Sequence, residues 1–239
     1  MSVLYRIVLT FVFLLASFHA VAADGDKLPA RSVLLIPAAD PVEYTVTVRT
    51  AATMLFPIAS LGALSDGRQK SKDLTGLMRA QAPGHGLFLA ERVAQRLRAA
   101  GYAVRVLEQV DRKPDDPDNI DVESLTFEED IGLHLQFDAI GFHSGMGTSE
   151  YVPKLNIDAY SFPRGAEWYP YSTTLFFGVD ARPDKEWAIV APAGATFPTY
   201  EALIGNPASV DTVYRNALDQ LAERVVAQFQ VQSPLKPVP

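Results

Sequence analysis

The residues of this sequence that most suggest chemistry are His143 and Ser144, in the segment Gly141-Phe-His-Ser144-Gly145. A histidine beside a serine could act as base and nucleophile in acyl transfer. The nucleophile elbow of hydrolases, however, reads G-x-S-x-G, and here the serine stands one residue too late. Neighbouring residues of a strand also point to opposite faces of a sheet, so the two side chains would not meet. A hydrolase is therefore the least favoured function.

Two other segments contain residue types used for anion or metal binding, and neither completes a motif. Residues 84–86, Gly-His-Gly, precede a helical pattern and could hold an anion, but the lysine and serine of a phosphate loop are missing. Asp116, Asp118 and Asp121 suggest a calcium loop, yet its central glycine and closing glutamate are absent. The histidines are scattered and there is no cysteine. We therefore expect a non-enzyme with no catalytic residue, no cofactor and no metal site.

Aromatic residues are concentrated between positions 160 and 177. Aromatic side chains in strands mostly belong to the core. Trp168, Tyr169 and Tyr171, in contrast, lie in or beside a predicted loop at residues 164–171 that contains glycine and proline. Exposed aromatic residues of a loop can anchor a protein partner or stack on a sugar ring. These three residues are the first candidate binding surface.

A second candidate surface is the apolar segment 51–65, with the sequence AATMLFPIASLGALS. Its central Pro57 is expected to block a continuous helix, and the segment is too short to cross a membrane. Two interpretations remain open: it covers the sheet, or it exposes Met54, Leu55 and Phe56 to a partner or a membrane surface. The polar residues 66–84 that follow are predicted to form a solvated loop.

The first 22 residues have the pattern of a cleaved export signal. Arg6 precedes a short apolar stretch, and residues 20–22, Ala-Val-Ala, supply the small residues that signal peptidase requires. A cysteine-free exported chain is common among periplasmic proteins of Gram-negative bacteria. The formal net charge of −7 argues against binding to nucleic acid or anionic lipid. We expect a periplasmic protein, with peripheral membrane contact not favoured.

The rest of the chain is predicted to form a single α/β domain over residues 32–231, between a linker (23–31) and a flexible tail (232–239). A capping box, Thr126 to Glu129, predicts a short helix that runs to about residue 136. Strands are predicted at 33–36, 42–48, 102–107, 139–142, 151–159, 173–179 and 187–190, and long helices at 87–100 and 210–229. The order β(β)αβαβββα indicates an α+β (α/β) fold. It has a mixed sheet of about five to six strands packed against two long helices and one short helix.

This arrangement resembles a group of small envelope lipoproteins. The segments LAERVAQRLRAAGYAVRVL, FEEDIGLHLQFDAIGF, KEWAIV and FPTYEALIGNP occur in an order similar to that of the N-terminal domain of TolB and of the CsgG family. The resemblance covers about residues 32–230 and implies a non-catalytic role in assembly, secretion support or docking. The lipid-modified cysteine of such proteins is replaced here by Ala22-Ala23-Asp24, so a soluble periplasmic form is expected.

The sequence thus predicts an exported protein that docks to other envelope proteins through residues 51–65 or 164–171. The alternative is a periplasmic module that binds cell-wall glycan with Trp168, Tyr169 and Tyr171. An unrecognised hydrolase at His143 is the third possibility.

Overall fold

The computed structural model describes residues 30–49, 57–107, 109–113, 116–120, 122, 125–145, 148–166, 169–182, 185 and 187–235. Of residues 57–64, 113 and 116–119 it describes the backbone alone. The predicted export signal, residues 1–22, and the linker up to residue 29 lie outside the described residues. Among the described helices, none combines the length and the apolar composition needed to cross a membrane.

The described residues form nine strands and four helices. The strands are β1 (Ser32–Ile36), β2 (Thr45–Val48), β3 (Ala103–Val106), β4 (Arg112–Lys113), β5 (Asp116–Ile120), β6 (Ile131–Ser144), β7 (Tyr151–Pro163), β8 (Tyr171–Gly178) and β9 (Ala188–Ile189). The helices are α1 (Pro57–Gln81), α2 (His85–Ala99), α3 (Tyr200–Ile204) and α4 (Pro207–Gln232). Seven strands make one mixed sheet in the order β3-β1-β6-β7-β8-β9, with β2 also on β6, and β4 and β5 form a separate pair. The predicted α+β class with a mixed sheet is confirmed, and the sheet is larger than expected.

The long antiparallel pair of β6 and β7 is the centre of the sheet. Two short strands share the other edge of β6: β1 pairs in parallel with residues 131–134 and β2 with residues 141–144. The register of β6 on β7 shifts between Phe137 and Ala139, which places Asp138 in a bulge. Such a bulge bends the strand and changes which side chains face each side of the sheet. The predicted hairpin of residues 139–142 and 151–159 is confirmed by this pair.

One face of the sheet is covered by helices α1, α2 and α4, and the main core lies between these layers. The helix predicted at residues 210–229 is confirmed as α4, and its apolar stripe is fully or almost fully buried there: Tyr214, Leu218, Leu221, Val225 and Phe229. From β7, Leu155 and Ile157 enter the same core. Removing a side chain of this size from water contributes roughly 1.5–3 kcal/mol. This layer therefore supplies most of the hydrophobic stabilisation.

The opposite face of the sheet is covered by a buried cluster at one end and elsewhere in part by side chains outside the strands, such as Trp187 on Phe176 and Tyr169 on Tyr160. This second, smaller buried cluster consists of Leu34, Ile36, Ile120 and Phe162. Beyond it, no described helix or strand packs on the outward side chains of β6, β7 and β8. We call this surface the open face, and it consists of Gln136, Asp138, Lys154, Asn156, Asp158, Tyr160, Ser172 and Thr174.

The short helix predicted at residues 126–136 is wrong, because residues 131–136 belong to β6. Ile131, Leu133 and Leu135 alternate with a period of two, and all three are buried against the helices. Pairing with β1 on one side and β7 on the other satisfies their backbone groups, which outweighs a local capping signal. Glu129 instead pairs with Arg105, at 2.6 Å between Oε1 and Nε.

The solvated loop predicted at residues 66–84 is also wrong, since helix α1 runs from Pro57 to Gln81. The described helix starts at Pro57, and a proline is tolerated in a first turn because no N–H donor is needed there. The hydroxyls of Ser71 and Thr75 accept hydrogen bonds from the backbone N–H groups of Val46 (2.8 Å) and Tyr44 (2.9 Å). The helix thus shields the free edge of β2, a contact between distant residues that no local pattern indicates.

The beginning of the predicted flexible tail is attached to the domain. Gln232 is the last residue of α4, and Ser233 is fully buried. The Tyr102 hydroxyl donates to the Ser233 carbonyl oxygen at 2.7 Å, and the Ala30 N–H donates to the Pro234 carbonyl oxygen at 3.1 Å. Residues 236–239 lie outside the described residues.

Candidate functional site

His143 and Ser144 do not form a nucleophile and base pair. The Ser144 side chain is 2% exposed, and its hydroxyl donates to the Thr148 carbonyl oxygen at 3.1 Å. His143, the residue before Ser144 in β6, is half-buried and points to the other side of the sheet. The structure therefore keeps apart the two residues that most suggested chemistry.

The segment 84–86 holds a carboxylate of the protein itself. The side chain of Asp40 accepts hydrogen bonds from the backbone N–H groups of Gly84 (2.9 Å) and Gly86 (3.1 Å) at the start of α2. A carboxylate at this position is favoured by the positive end of the helix dipole. The N-terminus of α2, which the sequence suggested as an anion site, is thus capped from within the chain.

His85 is the fully buried centre of a polar relay whose outer members, Asp211 and Arg215, are partly exposed. Its Nδ1 is 2.6 Å from the Tyr44 hydroxyl and its Nε2 is 3.0 Å from Oδ1 of Asp211. The Arg215 guanidinium donates to the same carboxylate at 2.8 Å. Burial lowers the pKa of His85 in spite of the neighbouring Asp211, so the ring is neutral and accepts from Tyr44 while donating to Asp211. Because the imidazole is 0% exposed, it links the residue before β2 to α2 and α4 and is out of reach of a substrate.

Of the candidate residues in the aromatic loop, the structure describes Tyr169 and Tyr171 and places them on different sides of the sheet. Tyr169 is half-buried, with its ring 4.8 Å from that of Tyr160 and 5.3 Å from that of Phe162. Tyr171 begins β8 opposite Ser161 and so shares the helix-facing side of the sheet with alternate residues of that strand. Trp168 and the three apolar candidates Met54, Leu55 and Phe56 lie outside the described residues. The binding role of these six residues stays a prediction.

His134, which the sequence analysis did not select, is buried under these aromatic rings. Its Nδ1 is 3.2 Å from the Tyr169 hydroxyl, and its Nε2 has no hydrogen-bond partner in the described part of the chain. Burial, with a smaller contribution from the positive charge of Arg112, lowers the pKa of His134 to about 3. The ring therefore stays neutral throughout the ordinary range of pH.

We expect His134 to make the protein less stable in mild acid. The unfolded chain binds a proton at this histidine below about pH 6.5, whereas the folded protein does so only near pH 3, so the free energy of unfolding falls as the pH decreases between these values. Between pH 6.5 and 5 the loss from this group is about 2 kcal/mol. Urea unfolding of the wild type and of His134→Phe at pH 7 and pH 5 measures it. The decrease in the free energy of unfolding from pH 7 to pH 5 should be about 2 kcal/mol smaller in the variant. Equal decreases would contradict the low pKa of His134.

The open face contains a group of polar side chains that sequence reasoning missed. The Nδ2 of Asn156 lies 3.0 Å from Asp180 and 3.3 Å from Asp138. Two residues further along β7, Asp158 accepts hydrogen bonds from the hydroxyls of Tyr160 and Thr174. The signal was present in β7, where polar residues at every second position alternate with apolar ones. Alternation predicts the strand, and the same alternation also identifies which residues form its outer surface.

The electrostatics of this group come from closely spaced carboxylates. Burial and the charges of Asp158 and Asp138 raise the pKa of Tyr160 to about 12, so its hydroxyl remains a donor to Asp158. Hydrogen bonds from Asn156 and Lys154 lower the pKa of Asp180 against the opposing effect of its burial. No three metal-ligating side chains among the described residues are close enough to hold a metal ion. The open face is therefore an acidic surface beside aromatic rings.

The fold and this surface define a one-sided α+β protein, in which helices cover one sheet face and the other face is partly open. Neither a scan of protein-family models nor a search of curated proteins finds a match. Among solved structures, the chain is similar to protein XCC0632 from Xanthomonas campestris, of the family model DUF330, at 12% identity and a TM-score of 0.42. That match covers 87% of this chain and 89% of that one.

Two further solved structures are similar at comparable levels. A PelC dodecamer from Paraburkholderia phytofirmans matches at 11% identity and a TM-score of 0.36, covering 89% of this chain and 95% of that one. Lipoprotein GNA1162 from Neisseria meningitidis matches at 14% identity and a TM-score of 0.31, covering 82% and 99%. These neighbours are small bacterial proteins, and at such values the likeness assigns neither a family nor a function. The similarity to TolB and CsgG stays a prediction.

Proposed function

We propose that this chain is a non-catalytic binding protein of the bacterial cell envelope that docks another protein on its open face. The observation that carries the proposal is the unequal covering of the sheet: helices bury one face, whereas β6, β7 and β8 present polar and aromatic side chains outward. Ser172 and Thr174 are exposed on this face, and the Tyr160 ring is only half-buried. A polar surface with aromatic rings is typical of a protein interface.

The charge of the open face indicates the chemistry of the partner. Asp138 and Asp158 of the open face and the adjacent Asp180 carry three negative charges, and Lys154 supplies one positive charge through its ion pair with Asp180. The whole chain has a formal net charge of −7. Complementary charge directs association and suppresses wrong partners. The partner is therefore a protein with a basic contact surface, and export places the two in the periplasm.

Site-specific photo-crosslinking in the full-length chain tests the proposal. A photoreactive amino acid at Ser172 on the open face should capture a partner in envelope preparations of the producing bacterium. The same amino acid at Gln230, which is exposed on α4 in the helical layer, should not capture it. The captured protein is then purified and its affinity for the chain is measured by calorimetry.

A matched pair of charge variants completes this test. Ser172→Arg should weaken binding of the purified partner by about tenfold or more because it repels a basic surface, whereas Gln230→Arg should leave it within about twofold. Equal capture from both positions, or equal affinities of both variants, would contradict docking on the open face. Binding of purified cell-wall glycan that is lost in Trp168→Ala would instead support the alternative of a glycan-binding module.

A further inference from the structure

Two carboxylates of the open face lack a cationic partner among the described residues. Asp138 is exposed, and its one hydrogen bond from a described residue, at 3.3 Å, comes from the neutral amide of Asn156. Asp158 accepts hydrogen bonds from two neutral hydroxyls. Within the described part of the chain, no lysine, arginine or histidine lies at ion-pair distance from either carboxylate. Two negative charges in adjacent rows of the sheet are therefore left to an external cation.

The buried Asn156 provides an independent indication of a missing ligand. This side chain is 3% exposed and points into the acidic group, since its Nδ2 contacts both Asp138 and Asp180. Its Oδ1 is buried without a hydrogen-bond partner among the described residues. Buried polar atoms are nearly always paired, so an unpaired acceptor beside these carboxylates marks an incomplete hydrogen-bond network.

An aromatic ring stands next to the same carboxylates. The Tyr160 hydroxyl donates to Oδ2 of Asp158 at 3.1 Å, and its ring packs at 4.8 Å on that of Tyr169. A planar guanidinium combines well with such an arrangement, because it forms paired hydrogen bonds with carboxylates and stacks on aromatic faces. An ammonium group has neither the planar fork of donors nor the same ability to stack.

We propose that Asp138, Asn156 and Asp158 form a recognition site for a guanidinium group, supplied by an arginine side chain of the docked protein. The planar fork of N–H donors of the arginine pairs with these carboxylates. The amide of Asn156, whose Oδ1 has no hydrogen-bond partner among the described residues, lies beside them. The Tyr160 ring forms one wall of the site. The inference rests on the proposed docking function, and it names the contact on which the affinity of that docking depends.

Titration of the ¹⁵N-labelled chain with butylguanidinium chloride, followed by NMR, tests the site. The side-chain amide of Asn156 and the backbone amides of Asp138 and Asp158 should shift together and reach saturation. Butylammonium should bind at least about threefold more weakly, because it lacks the planar fork. The double variant Asp138→Asn/Asp158→Asn should bind butylguanidinium at least about tenfold more weakly.

The matched control is Glu223→Gln, which removes an exposed carboxylate from α4 in the helical layer and should leave the titration unchanged. Both substitutions in the double variant nearly conserve shape, and an unchanged thermal unfolding curve verifies that this variant is folded. An unchanged affinity of the folded double variant for butylguanidinium would overturn the guanidinium site. Saturable shifts of the same amides by N-acetylglucosamine, without a response to butylguanidinium, would overturn it in favour of a glycan.

Photo-crosslinking from Ser172 in the double variant separates this inference from the proposed function. Loss of the captured partner in this variant, with capture retained in Glu223→Gln, supports both the docking function and the guanidinium site. Undiminished capture would leave docking on the open face in place and refute the guanidinium site. Absence of capture in the wild type would refute the docking function itself.

Discussion

Replacing His85 with alanine is expected to lower the free energy of unfolding by about 4 kcal/mol. The imidazole is completely buried and contacts the rings of Tyr44 and Tyr214, with centroids 5.8 and 5.5 Å away. Its removal leaves a cavity and also deprives the Tyr44 hydroxyl and the Asp211 carboxylate of a buried partner. Both effects act at the point where α2, α4 and the residues before β2 meet.

Urea unfolding of His85→Ala beside two reference variants measures this effect. Tyr44→Phe keeps the ring and removes only the hydroxyl, so about 1–2 kcal/mol should be lost. His143→Ala removes a half-buried histidine for which the described residues supply no hydrogen bond, and less than about 1 kcal/mol should be lost. A loss in His85→Ala no greater than that in His143→Ala would contradict the structural role of the relay.

Replacing Gly178 with alanine is expected to cost at least about 3 kcal/mol. This glycine ends β8 with a φ of +85°, in the left-handed region that residues with a side chain avoid. A Cβ atom would also lie 1.8 Å from the carbonyl oxygen of Pro153 on β7. The clash is with backbone, so the two strands must separate at the end that positions Asp180 beside Asn156.

Gly165→Ala is the matched control, because Gly165 has a φ of +76° and no atom within 4 Å of the added Cβ. It should cost only the conformational strain of about 1–2 kcal/mol. The difference between the two variants in the free energy of unfolding, measured by chemical denaturation, then gives the cost of the clash between β7 and β8. Equal losses of unfolding free energy in the two variants would contradict the prediction, because the clash with Pro153 would then cost nothing.

The elements that could be predicted are those whose own residues carry the signal. The stripe from Tyr214 to Phe229 indicates the last helix, and the alternation in residues 151–159 indicates β7, because each pattern repeats with the period of its element. Residues 126–136 and 66–84 were predicted wrongly for the opposite reason. Their structure depends on partners that are distant in the sequence, such as the contact of Ser71 with Val46.

The candidate site shows the same contrast between local sequence patterns and contacts of residues distant in the sequence. Trp168, Tyr169 and Tyr171 attracted attention because they are aromatic and close in sequence, yet Tyr169 and Tyr171 point to different sides of the sheet. Asp138 and Asp158, in contrast, stand on different strands and become neighbours only when β6 pairs with β7. A bulge at Asp138 also determines the side on which its carboxylate lies, and no residue type in that segment indicates the bulge.

The sequence by itself determined the α+β class, the acidic charge, the absence of cysteine and the positions of α2, α4 and the central hairpin. These follow from composition and from periodic patterns, which are local properties of the chain. Only the tertiary structure decided that His85 pairs with Asp211, that Asp40 caps α2, and that the outward residues of three strands form one acidic surface. Such contacts join residues separated by up to 126 positions. They depend on strand register and helix packing, which arise only when the whole core is buried.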